Sequence, residues 1–163
     1  MLDRFLGNEG VSSTVWKDLG AGAPTLIALA ELCSQAITTG KTETPETETS
    51  ELSPEARAIL YTARHRGILE VKGNNAAYES PSRMLTVFVE VDEHSQVRFR
   101  HAGNARQNVQ FLEGFRQLCA NGLLVHHLYH EFSLTSTGFA VAETLSTMGL
   151  EELLELGQRC GST

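Results

Sequence analysis

The sequence predicts an α+β fold built of helix/β-hairpin units, with one further long hairpin between them and helices at both ends. Three observations predict it. Residues 104–145 read helix, glycine stop, two short strands, helix. Residues 85–100 alternate apolar and polar side chains across a polar turn, the period of a half-buried hairpin. Residues 53–67 begin with Ser53-Pro54-Glu55 and end at Gly67, the marks of a capped helix.

In chain order, Trp16 and Leu19 suggest a short helix or an ordered arm, and Gly20 and Gly22 a joint. Pro24 then starts an amphipathic helix whose apolar stripe is Leu26, Leu29, Ala30, Cys33 and Ile37. Residues 1–37 form this arm and helix. Residues 38–52, rich in Thr and Glu, read as a disordered linker. A helix on such a tether must pack back on the domain or on a second copy of it.

The main unit spans 53–148. Ala56, Ile59, Leu60 and Ala63 make the buried stripe of its first helix. Ile68–Lys72 and Ala76–Glu79 flank Gly73-Asn74-Asn75, a hairpin turn. Leu85, Val87, Val89 and Val91, with Val97 and Phe99, form the buried face of the long hairpin, and Arg98 and Arg100 project from its other face. Phe111, Leu112, Phe115, Leu118 and Cys119 make the next helical stripe, capped by Asn104 and stopped by Gly122. Leu123–Val125 and Leu128–Leu134 follow as strands, and Thr135 or Ser136 caps a helix carrying Phe139, Ala142 and Leu145. Leu60, Ala63, Gly67 and Ile68 align with Phe115, Leu118, Gly122 and Leu123, a weak hint of two tandem helix–hairpin units. Residues 149–163 read as a C-terminal leucine-rich helix in which Leu150, Leu153 and Leu154 pack on the core or form a dimer interface.

The segment "NGLLVHH", then "YHEFSLTSTGF", between two helices resembles the second half of winged-helix transcriptional regulators. In that family a recognition helix ends in a glycine, a two-stranded wing follows, and an "LTxxG" opens the next helix. The resemblance covers about a quarter of the chain. It implies duplex DNA read by Arg106, Gln110, Arg116 and Gln117, with Arg98 and Arg100 on phosphates. The chain departs from the pattern at the wing tip, where His126-His127-Leu128-Tyr129 stands in place of glycine and basic residues.

Charge weighs the other way. The chain of 163 residues carries a formal net charge of −7, which argues against general, charge-driven binding to nucleic acid. Three basic and eight acidic side chains lie in 1–52, nine and seven in 53–116, and one and five in 117–163. Only the middle is mildly positive. Hydrophobic content of 41% and charged content of 20% suit an ordinary globular domain. Cys33, Cys119 and Cys160 are odd in number and sit on apolar helical faces, so reduced thiols and a cytosolic location are expected. Met1-Leu2-Asp3-Arg4 does not read as a secretory leader, and the apolar run 24–37 is too short to span a membrane.

No nucleophile, phosphate-binding or dinucleotide motif is present. His126 and His130 are the weak metal candidates, but on one strand they stand roughly 13 Å apart, and no carboxylate or cysteine at ligand spacing completes a set. No metal and no cofactor are therefore expected. The sequence favours a non-enzymatic regulatory or adaptor protein acting through protein–protein contacts as a homodimer. A winged-helix DNA-binding regulator is the alternative, and a small metal- or ligand-binding protein the second alternative.

Overall fold

The computed structural model describes residues 23–39, 51–73 and 83–161. The elements run α1 (Ala23–Thr38), α2 (Pro54–Ala63), β1 (Ile68–Lys72), β2 (Thr86–Asp92), β3 (Ser95–Phe99), α3 (Ala105–Ala120), β4 (Leu124–His126), β5 (Glu131–Leu134), α4 (Ser136–Thr144), α5 (Glu151–Leu156) and β6 (Gly157–Gly161). The six strands form one antiparallel sheet in the order β4-β5-β1-β2-β3-β6. The mixed helix and sheet content is the α+β class expected.

Period-two alternation gives the sheet two unlike faces. Leu69, Val71, Val87, Val89, Phe99, Leu124, Phe132 and Leu134 are buried on one face. There α2 and α3 pack on each other and on β2. Two aromatic pairs fasten α3 down: Phe111 lies 5.1 Å from Phe99, and Phe115 meets Phe132 edge-on at 4.9 Å. The opposite face carries Glu70, Lys72, Phe88, Glu90, Arg98 and the buried Gln96.

Local chemistry sets the helix ends. Ser53 accepts from the Ala56 N–H, with Pro54 at the first helical position. Asn104 accepts from the Gln107 N–H. At the other end of α3, Gly122 takes φ +70°, a conformation that a side chain disfavours. Thr135 does double duty: its hydroxyl accepts from the Gly138 N–H and donates to the Gly122 carbonyl.

Four expectations need correction. First, the apolar stripe of α1 is shifted: the helix packs back on the domain, one of the two arrangements expected, with Leu26, Leu29, Cys33 and Ala36 buried against α3 and β4, while Ile37 is 49% exposed. Its buried stripe is thus 26, 29, 33, 36, a tighter helical period than the one that includes 37. Second, the 38–52 stretch is ordered at both ends: Thr38 ends α1, and Leu52 is buried in the core. Residues 40–50 lie outside the described residues, as do Trp16 and Leu19. Third, the strand expected at Ala76–Glu79 also lies outside them, and both edges of β1 are taken, by β2 and β5. Only the second helix–hairpin unit pairs with itself, so the tandem reading does not extend to the sheet.

The fourth correction is at the C-terminus, where a six-residue helix gives way to a strand along β3. Leu150 is 1% exposed, and Leu153, Leu154 and Leu156 pack against the core. The leucines satisfy their own domain, and Gly157 lets the chain approach Val97 closely enough to pair: a Cβ there would meet its Cγ1 at 2.7 Å. Leu150 is therefore a core residue, and Leu153 and Leu154 pack half-buried against the core, one of the two arrangements expected of them.

Candidate functional site at the hairpin tip and the docked helix

The outer stripe of α3 was the expected base-reading surface. Its candidates have different fates. Gln117 turns inward, and its Oε1 accepts the Ser53 N–H at 2.9 Å, tying α3 to the start of α2. Arg116 is held by Glu113, with Nε at 2.9 and 3.0 Å from its two carboxylate oxygens. Hydrogen bonds from Arg116 hold the Glu113 carboxyl below its ordinary range and raise the guanidinium in return. Arg98 lies on the open sheet face and donates to Gln158 Oε1 of β6 at 2.6 Å. Arg100 follows β3 and is half-buried. Arg106 and Gln110 stand exposed on α3 beside Val109, itself 55% exposed. The six candidates are thus divided between two faces, and Arg98, Arg116 and Gln117 are hydrogen-bonded within the fold.

The histidines also part company. His126 lies on the core side of β4, its ring 5.0 Å from Phe132, and its Nε2 is 2.8 Å from the Tyr129 carbonyl. His127 Nε2 is 2.7 Å from Ser133 Oγ. That pair has nucleophile–base spacing, yet it sits on an exposed hairpin, and no described residue orients the far side of the imidazole. His130 turns toward Glu70, with Nε2 at 3.4 Å from Oε1. His126 and His130 are therefore not one ligand pair, because the tight turn between them, closed by Glu131 N–H to Leu128 O, sends them to different neighbours.

The turn also produces the most exposed apolar side chains of this end of the molecule. Leu128 is 62% exposed and Tyr129 44% exposed, the latter at φ +49°. A non-glycine residue at positive φ is uncommon, and here it closes the turn. Beside the tip lies a groove of about 360 Å³ lined by Ile27, Ala30, Glu31, Ser34, Gln35 and His126. The groove exists because α1 docks along β4 and the end of α3, burying one face and leaving Ile27 42% exposed on the other. Ile27 and Ala30 were not singled out by sequence reasoning as surface groups. Their exposure was readable only once the buried stripe of α1 was known.

Among the described residues, no helix is long and apolar enough to cross a membrane. Cys33 and Cys119 are free and buried, and Cys160 is free and half-buried. Comparison of the chain with protein-family models, with curated proteins and with solved structures finds no match.

Proposed function

We propose that this chain is a non-enzymatic, winged-helix-like interaction module that pairs with a second copy of itself through the β4–β5 tip and the adjoining groove of α1. The observation that carries this reading is the side-by-side placement of an apolar projection, Leu128-Tyr129, and a partly apolar concavity that includes Ile27 and Ala30. A two-fold interface requires one surface to supply both projection and receptor. Apolar anchors in a concave site are the usual source of interface energy.

The winged-helix-like part of the reading draws support from connectivity. The hairpin after α3 lies next to β1, which follows α2, and the "LTSTG" threonine caps the next helix. The preference for protein over DNA rests on charge and commitment. Gln117 and Arg116 are engaged within the fold, the tip is apolar, and the chain is acidic. Duplex DNA is the second reading, favoured by Arg106 and Gln110 alone on the open stripe of α3.

Light scattering of the eluting protein tests the proposal. The expected species has twice the 17.8 kDa chain mass. Ile27→Glu and Leu128→Glu should each weaken association at least tenfold, about 1.4 kcal/mol. A wild-type chain that stays monomeric at high concentration, or a dimer indifferent to both substitutions, would overturn it. Salt-sensitive binding of a mixed duplex library, lost in Arg106→Ala, would promote the DNA reading instead.

A further inference from the structure

On the open face of the sheet, the β1–β5 register places Glu70 directly opposite Glu131, and His130 precedes Glu131 in the chain. One ligand atom from each of Glu70, His130 and Glu131 lies within 4.8 Å of the others. We propose that these three side chains form a binding site for a divalent transition cation of the zinc type, with at least one further position open to water.

Three features of the geometry argue for it. Bonds of about 2.0–2.1 Å in a tetrahedral site put neighbouring ligand atoms about 3.3 Å apart, and His130 Nε2 lies 3.4 Å from Glu70 Oε1. Glu70 is already oriented: its Oε2 accepts from Lys72 Nζ at 2.8 Å and from Gln96 Nε2 at 2.9 Å, leaving Oε1 toward His130. Outer hydrogen bonds that fix one carboxylate oxygen and present the other are what a metal site needs. Like charges directly opposite on neighbouring strands destabilise a sheet, and a cation between Glu70 and Glu131 removes that repulsion.

The donor set selects the ion. A nitrogen donor with two carboxylates disfavours magnesium and calcium, which take all-oxygen shells, and suits zinc or its neighbours. Lys72 stays on the far oxygen of Glu70 and opposes the bound charge, so it tempers affinity.

The test is calorimetric titration of the full chain with Zn²⁺ alone, in a Cys160→Ser background that removes the half-buried thiol. The expected result is one ion per chain, with affinity reduced at least tenfold by His130→Asn and by Glu131→Gln, whose side chain is exposed. His126→Ala and His127→Ala should leave it unchanged. Absence of binding, affinity unmoved by His130→Asn and Glu131→Gln, or loss of binding in the His126 or His127 variant would overturn the site. Equal affinity for Mg²⁺ and Zn²⁺ would overturn the role of the imidazole.

Discussion

At the scale of the residue, Glu70 is the most connected polar side chain of the open sheet face. Burial pushes its carboxyl up, but hydrogen bonds from Lys72 and Gln96, with the charges of Lys72 and His130, outweigh burial and hold it below its ordinary value of 4.5. A carboxylate whose folded pKa is depressed contributes stability that is present above the unfolded value and is lost as pH falls through the folded one. Lys72→Met should therefore cost about 1 kcal/mol at neutral pH. The gap from wild type should shrink as pH drops below about 4.5, and thermal melts at neutral and acid pH check this. A gap that widened in acid would contradict it. Nothing in the sequence marks Glu70. It is one acid in an alternating strand, and its partners come from β3, at Gln96, and from the turn before β5, at His130.

At the scale of the element, the joint between β5 and α4 concentrates several requirements. Thr135 caps α4 and bonds back to Gly122, while Gly138 lies so close to β4 that a Cβ would stand 2.2 Å from the Leu123 carbonyl oxygen. Thr135→Ala should cost about 1–2 kcal/mol, through the lost cap and the lost bond to Gly122. Thr135→Ser should recover most of it. Gly138→Ala should cost more, on the order of 2–3 kcal/mol, because backbone must shift to admit the methyl group. Urea unfolding of the three variants measures all of this, and a neutral Gly138→Ala would refute the packing argument. The "LTSTG" string was legible as a cap from sequence because capping is local. That the same glycine is needed for close approach to Leu123 depends on a neighbour 15 residues away.

At the scale of the whole molecule, the sheet joins strands drawn from residues 68 to 161, and α1 is bound into the common core. Leu26 and Leu29 are 1% and 3% exposed, beside Cys33. Leucine truncations in a core cost about 2–5 kcal/mol each, against a typical total of about 5–15 kcal/mol. The double variant Leu26→Ala/Leu29→Ala should therefore lose most of its stability and melt early or without cooperativity. Calorimetry that found a nearly unchanged melting temperature would make α1 an appendage after all. Its docking matters for function as well, since the groove beside the β4–β5 tip is formed by α1.

Periodicity, capping and glycine stops are properties of neighbours in the chain, and the sequence alone determined what depends on them. It located α2, β1, the β2–β3 hairpin, α3, the β4–β5 hairpin and α4, and it identified the α+β class. Two matters were decided only by the tertiary structure. One is which apolar stripe is buried, since the leucines at 150–156 and those of α1 fit a core or an interface equally well until their neighbours are known. The other is which polar side chains meet. Gln117 reads as a base-contacting residue until it is seen accepting the Ser53 N–H, 64 residues away. His130 reads as a partner of His126 until strand register sets it beside Glu70 and Glu131. Register and packing are long-range choices, fixed by the summed burial of the whole chain, and no local pattern encodes them.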